Sequence, residues 1–354
     1  MGLFSRKKGV VGLDIGSSAI KLVELEPSKV GYALKAIGWE PLPPEAIVDG
    51  AIMDASTVAE TIRKLFEERK VKADNVATAV SGHAVIIKRI SIPTMSPEEL
   101  GESIQWEAEQ YIPFDIDEVS LDYQVMQGPA AEEGHMEVLL VAVKKDKIND
   151  YTAAISQAGK VPVVVDIDAF AVQNAYESSY ELDPALSTAL INIGASVTNI
   201  AVLKGSNPAF WRDINVGGNQ FTDAIQKELN LPFETADALK RGQAQDESIP
   251  ASTLTPIVQG VSEEIANEIK KTIDFYKATS GQEDVDRIVL SGGCALVEGL
   301  QPFFHDRFGA PVELMDPFRS IRKKDVDFAP FTDMAPALAV AVGLAMRRPG
   351  DKYA

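Results

Sequence analysis

Two stretches of this chain carry residue types suited to binding an anion. "GLDIGSSAIKLVEL" spans residues 12–25, "LINIGASVTNIAVL" spans 190–203, and the two align without a gap. Each sets a glycine, Gly16 or Gly194, at a hairpin apex, followed by hydroxyls: Ser17 and Ser18 in one copy, Ser196 and Thr198 in the other. A tight hairpin at these glycines predicts φ > 0. Consecutive N–H groups in such a turn form an anion-binding concavity. Either turn alone is also an ordinary hairpin; a matched pair facing across a cleft is suited to a polyphosphate. One difference separates the copies: Asp14 in the first becomes Asn192 in the second. A third element, "LSGGCALVEG", places Gly292 and Gly293 between a strand and a helix. Paired glycines let a ligand approach the backbone there, and a helix N-terminus favours negative charge.

Other chemistries fit less well. Neither G-x-x-x-x-G-K-[ST] nor G-x-G-x-x-G occurs, so a P-loop and a standard dinucleotide fold are excluded. His83, His135 and His305 are scattered without metal-ligand spacing. Cys294, the one cysteine, follows two glycines where a small side chain fits, and no G-x-S-x-G elbow exists for a hydrolase triad. The single cysteine also precludes an internal disulfide and fits a reducing compartment. A net charge of −18 and pI near 4.7 argue against binding a nucleic-acid backbone. The start, "MGLFSRKK", lacks a signal-peptide core, fails the myristoylation pattern at Arg6, and reads as a solvated basic terminus.

The elements that must position these residues follow from periodicity. Residues 10–15 and 20–26 read as two strands around "GSS". "DASTVAETIRKLFEERK" is an amphipathic helix with Val58, Ile62, Leu65 and Phe66 on one face. Residues 85–167 read as a β-α-β-β-α-β unit set into a larger fold. Its first helix opens on Ser96, Pro97 and Glu99, a capping box. "DAFAVQNAYESSY" then reads as an apolar helix, and the second half begins near Ser187. There a helix follows the Gly-Gly turn of "NVGGNQFTDAIQKELN", a long helix starts at Pro256, and "APALAVAVGLAMR" is a small-residue helix. Asp14 and Asn192 stand about half the chain apart, far beyond a solenoid period. Two related α/β domains, each opening with its own glycine hairpin, are therefore expected.

Five segments, in order, resemble the nucleotide-binding motifs of the actin superfamily. "LDIGSSAIK", with Lys21 seven residues after Asp14, resembles the first phosphate loop, and "LINIGASVTNI" the second. "VDIDAFAVQNAY" and "PALAVAVGLA" resemble the two connecting helices, and "LSGGCALVEGL" the adenosine motif. The inserted unit resembles the relocated subdomain of FtsA-like proteins. "IQWEAEQYIPFDIDEVSLDYQV" resembles the PilM family, actin-like cytoplasmic components of type IV pilus assembly. The ending "RRPGDKYA" is unlike the membrane helix that closes FtsA.

The resemblance implies an actin-like ATPase fold: two related α/β domains around a nucleotide cleft, with an FtsA-type insert. The expected first domain is 9–84 with 168–186 and 335–350. The insert is 85–167, and the second domain is 187–334, with about 231–280 its small subdomain. The resemblance implies ATP and Mg as ligands. Asp14 would orient Mg through water, with Gly16, Ser17, Ser18 and Lys21 at the phosphates. Asn192, Gly194, Ala195, Ser196 and Thr198 would hold the other side. Gly217, Gly218, Gly292 and Gly293 would line the adenosine pocket, and Asp237 and Lys240 would touch ribose and adenine. Asp168 stands where a water-positioning Glu is found in chaperone ATPases of the superfamily, and serves equally as a helix cap. Asn192 departs from the usual aspartate: an amide cannot act as a base or add charge at a metal, so hydrolysis should be weak or absent.

The implied function is that of an adaptor at the inner membrane. Its partner would be the cytoplasmic N-terminal tail of PilN, held in a groove between the first domain and the insert. Gln110, Tyr111, Ile112, Pro113 and Phe114 are expected to shape that groove or a subunit contact. Other platform proteins, motor ATPases and further copies of the chain complete the partners; nucleic acid is excluded and membrane contact is indirect. Two readings of another class remain open: an active ATPase or kinase, for which no substrate aspartate is placed, and an FtsA-like filament protein.

Overall fold

The computed structural model describes residues 9–126, 134–243, 249–281, 284–324 and 326–351. The basic start of the chain lies outside the described residues. The strands β1 (Val10–Ile15), β2 (Ala19–Pro27) and β3 (Tyr32–Pro41) form an antiparallel meander. A short ribbon follows, β4 (Ile47–Val48) and β5 (Ala51–Ile52). Its Asp49-Gly50 turn has φ of 48° and 75°, as a primed hairpin turn requires. α1 (Ala55–Glu68) is capped by the Asp54 side chain and buries Val58, Ile62, Leu65 and Phe66, as its periodicity predicts. β6 (Asn75–Val80) then pairs in parallel with β1.

The insert comprises β7 (Val85–Pro93), α2 (Pro97–Glu109), β8 (Val119–Val125) and β9 (His135–Lys144), its sheet ordered β7-β9-β8. The capping box of α2 is present: the Ser96 amide donates to Glu99 at 2.8 Å and the Glu99 amide donates to the Ser96 hydroxyl at 3.2 Å. The expected β-α-β-β-α-β order over 85–167 is present along the chain, but its grouping into one separate unit is corrected. α3 (Lys145–Gln157) packs on α1, and β10 (Val161–Ile167) pairs in parallel with β6 of the first sheet. The insert's own sheet is thus β-α-β-β. A parallel neighbour of β6 needs a long crossover; the insert and α3 together make it, and the apolar pattern of β10 does not say which sheet it joins.

α4 (Asp168–Ser179) leads to the second half: β11 (Ser187–Ile193), β12 (Thr198–Lys204), β13 (Asn207–Ile214), α5 (Gly218–Leu229), α6 (Phe233–Lys240), α7 (Ala251–Thr279), β14 (Arg287–Ser291), α8 (Leu300–Phe308) and β15 (Val312–Leu314). α9 (Ala339–Ala345) returns to the first. α7 starts earlier than expected, with Pro256 in its second turn.

The two large sheets have one plan. Their orders are β3-β2-β1-β6-β10 and β13-β12-β11-β14-β15, each an antiparallel meander continued by two parallel strands. Even the register shift recurs, between Glu24 and Leu25 in one and Val202 and Leu203 in the other. These pairs are equivalent in the gapless alignment, so the repeat extends through the second strand. Where α4 and α9 cross, backbones touch. A Cβ on Gly343 would lie 1.8 Å from the Ala171 carbonyl, and where β1 passes α9 one on Gly12 would lie 2.1 Å from that of Ala341. The small residues of α9 are therefore a packing requirement.

Candidate functional site

The hairpin register sets the chemistry of each turn. Asp14 and Lys21 are direct cross-strand partners, and the Lys21 ammonium donates to the Asp14 carboxylate at 3.0 Å. Their seven-residue spacing is thus the reach across one hairpin. In the second copy the equivalent pair is Asn192 and Asn199; the Asn192 amide donates to Asn199 Oδ1 at 2.8 Å. Each turn is closed alike. The Gly16 amide donates to the Ala19 carbonyl at 3.2 Å, and the Gly194 amide to that of Val197 at 2.9 Å. Among the described residues, the amides of Ser17, Ser18, Ala195 and Ser196 donate to no protein acceptor. They remain free to bind an anion.

One reason given for the glycines is corrected. Neither Gly16 nor Gly194 has a positive φ. Space is the constraint: a Cβ on Gly194 would meet the Val197 carbonyl at 2.8 Å, and one on Gly16 the Lys21 ammonium at 3.1 Å.

The two turns face one cleft. Its walls bring together Asp14, Gly16, Ser17, Ser18, Lys21, Asp168, Asn192, Gly194, Ala195, Ser196, Gly292 and Gly293. The other expected ligands stand back from it. Thr198 is fully buried and its hydroxyl donates to the Val216 carbonyl at 2.8 Å. Gly217 and Gly218 press on the second turn: a Cβ on Gly217 would lie 2.6 Å from the Gly194 carbonyl, to which the Gly218 amide donates at 2.9 Å. Asp237 pairs with Lys240 at 2.5 Å, and Lys240 donates to the Thr222 hydroxyl at 2.9 Å, tying α6 to α5. The helix expected after Gly293 is a single 3-10 turn, and α8 starts only at Leu300. Gly292, at φ 88°, is packed against β11, so a Cβ there would lie 2.3 Å from the Ile193 carbonyl.

Several wall residues lie outside the sequence motifs. Ser81, Gly50, Tyr151 and Asn199 line the cleft. Tyr151 donates to the Gly50 carbonyl at 3.0 Å, beside the ammonium of Lys147. Asp168 opens α4 with no capping bond from Ile167, the residue at the cap. Burial pushes its carboxyl up to about 7, aided by Asp14 and Asp213 and opposed by the Ser81 hydroxyl and Lys147. Burial also lowers the pKa of Lys147, against the pull of Asp168 and Asp150. Cys294 is inert by the same effect, its thiol pushed up to about 12. Only cross-strand register and long-range contact reveal Asn199, Ser81 and Tyr151.

The chemistry of these walls suits a polyphosphate: free amides, seven hydroxyl or amide side chains and one lysine converge on a narrow space. Among the described residues no cluster of three or more His, Cys, Asp or Glu converges to hold a metal directly. Magnesium commonly keeps its waters and takes one or two carboxylates plus substrate phosphates; Asp14 and Asp168 are carboxylates that line this cleft.

A second concavity, about 310 Å³, separates the insert from the first domain. Five successive residues, Ser120 to Gln124, form one wall, and Val165, Asp166 and Ile167 stand opposite. β8 and β10 are outer strands of their sheets, so two strand edges face this groove. Arg347 and Asp166 pair at 3.1 Å within it. The segment Gln110 to Phe114 does not line it, which corrects the groove half of that expectation. Ile112 is buried in the insert's own core, with Tyr111 and Phe114 packed against it, and Lys144 sits over the Phe114 ring.

Comparison with known proteins places this architecture. The sequence model described as "Type IV pilus assembly protein PilM" matches residues 12–349. A chain of a solved PilM-PilN type IV pilus biogenesis complex is 30% identical, with TM-score 0.85 over 96% of this chain and 98% of that one. This chain belongs to the PilM family. Among more distant relatives, cell division protein FtsA of Enterococcus hirae is 24% identical over 87% of this chain and 78% of that protein. MreB5 of Spiroplasma citri, solved with ADP bound, is 14% identical with TM-score 0.53 over 95% of each chain. These likenesses show that the PilM-family chain has the actin-like fold.

Proposed function

We propose that this PilM-family chain is an ATP-binding adaptor of the type IV pilus inner-membrane assembly platform. It docks the cytoplasmic N-terminal tail of PilN, and nucleotide sets its shape rather than driving fast turnover. The groove between β8 and β10 carries this reading. Two unpaired strand edges flanking an apolar slot suit an extended peptide, which adds a strand by main-chain bonds and gains specificity from alternate side chains. Leu121, Leu139, Val141, Val165, Ile167 and Phe170 give the slot its apolar lining. The 30% identical chain of the PilM-PilN complex supports the same partner. No described helix is long and apolar enough to cross a membrane. In this reading the chain is held on the cytoplasmic side of the inner membrane through PilN.

Asp14, Lys21 and the amides of the two turns would hold Mg–ATP at the phosphates. Bound Mg–ATP would contribute a cleavable phosphoanhydride and the binding energy that favours closed halves. Turnover depends on positioning and charge. Asn192 offers neither base nor charge, and Asp168 is shared between protonated and ionised forms near neutral pH. Slow hydrolysis follows.

The test is fluorescence anisotropy with a labelled PilN tail peptide, with and without ATP–Mg, on the parent and Val141→Glu. Val141 lines the groove, so a buried carboxylate there should weaken binding tenfold or more. No binding by the parent, or equal affinity for both proteins, overturns the reading. Many turnovers per minute without a partner would overturn its adaptor half.

A further inference from the structure

The second hairpin lacks a carboxylate at Asn192, yet an acid stands two strands away in the same cross-strand row. Asn192 faces Asn199 on β12, and Asn199 faces Asp213 on β13. The side chains form one directed chain. The Ser291 hydroxyl donates to Asn192 at 3.2 Å, Asn192 to Asn199 at 2.8 Å, and Asn199 to Asp213 Oδ1 at 2.8 Å. The other oxygen of Asp213 leaves the second domain: it accepts the Gly82 amide at 2.7 Å. Gly82 belongs to the first domain, in the loop between β6 and β7, and lies against Val197 of the second turn. Its neighbour Ser81 holds Asp168.

We propose that Asp213 is a positioning residue that latches the two halves shut across the phosphate cleft. Three features carry this. Each carboxylate oxygen serves a different half, so parting the halves breaks a charge-assisted bond to a backbone amide. Two further contacts reach the second domain: Asn215 meets His83, and Arg89 of the insert donates to the Pro208 carbonyl at 2.8 Å. The closed space between the turns is about 70 Å³, short of the roughly 300 Å³ of a typical ligand site. A nucleotide therefore needs the halves to part and close again. Burial raises the Asp213 pKa, and the Asn199 and Gly82 bonds oppose that rise.

The inference refines the nucleotide-binding reading but its main test needs no nucleotide. Hydrogen exchange is followed at the Gly82 amide in the ligand-free parent and in Asp213→Asn. Asparagine cannot accept from both donors, so exchange at Gly82 should rise tenfold or more, while β1 and β11 stay as protected as in the parent. The residence time of a fluorescent ATP analogue should shorten several-fold. Unchanged exchange at Gly82 overturns the latch, as does an equal rise throughout β11–β13, which would mark a collapse of the second domain. If the variant does not fold, the parent alone decides. Its Gly82 amide must exchange far more slowly than the adjacent exposed His83 amide, and equal rates overturn the proposal. A latch confirmed by exchange with no analogue binding would sink the nucleotide reading and leave the latch standing.

Discussion

The two glycine hairpins share a backbone and differ in where they keep their charge. Across the first meander the row reads Asp14, Lys21, Trp39; across the second it reads Asn192, Asn199, Asp213. The first hairpin holds an ion pair at the mouth of the cleft. The second lines the cleft with buried neutral amides and holds one acid on the third strand, turned toward the other half. A duplicated fold can thus divide its work. One copy keeps an acid and a cation where phosphate and metal would sit; the other uses its acid to join the halves. An Asn suits the middle of such a relay because it donates and accepts at once. The Asp14-to-Asn192 difference is therefore a replacement of one network by another.

The largest expected effect tests the packing beneath each turn. Gly82 and Gly292 follow the strands β6 and β14 with φ of 84° and 88°. Gly292→Ala adds a clash with the Ile193 carbonyl to the left-handed strain and should cost about 3–5 kcal/mol. Gly293→Ala, with nothing within 4 Å of its Cβ, should stay within about 0.5 kcal/mol. Urea denaturation of the two variants checks both; similar midpoints would break the assignment of Gly292 to packing.

Next is pH. The Asp168 carboxyl titrates at about 7 in the folded chain, above the ordinary 3.8. The folded state then binds more protons than the unfolded state between these values, so stability falls as pH rises through that window. The slope is bounded by about 1.4 kcal/mol per pH unit for one group. Asp168→Asn should flatten that share of the curve, gaining on the parent at pH 7.5 and not at pH 3.5. Parallel curves for the two proteins would show that Asp168 is not held protonated.

Asn192→Asp bears on the comparison most directly. A carboxylate at 192 cannot donate to Asn199. If Asn199 turns its amide to face residue 192, Asp213 loses that donor. Either way one buried group is left short, at about 1–3 kcal/mol. Thermal unfolding measures this. Hydrolysis should rise only if the metal side, and not this relay, limits turnover.

Much of this was legible in the sequence because it is local. The paired hairpins, the cap of α2, the apolar face of α1 and the small residues of α9 all declare themselves within one turn or strand. Four features were not. β10 joins the first sheet, since an apolar strand carries no label for its partner. Asn199 and Asp213 matter only through cross-strand register. Ile112 joins the insert's core with Tyr111 and Phe114 packed against it, because a proline break beside apolar residues marks a buried helix end as readily as a groove. The Gly16 and Gly194 turns need space rather than a left-handed backbone, a distinction that only coordinates make.

The smallest effect sharpens the comparison at one atom. Thr198 occupies the place of Ile20 in the first hairpin, and both are fully buried. The Thr198 hydroxyl binds the Val216 carbonyl, next to the glycines that brace the second turn, and does not line the cleft. Thr198→Val removes that bond while keeping the shape, so it should cost about 1 kcal/mol. Nucleotide affinity, read by titration of a fluorescent ATP analogue, should change less than twofold, because the backbone amides of Ala195 and Ser196 remain. A tenfold loss of affinity without a loss of stability would return Thr198 to the phosphate ligands and make the two hairpins more alike than their charges suggest.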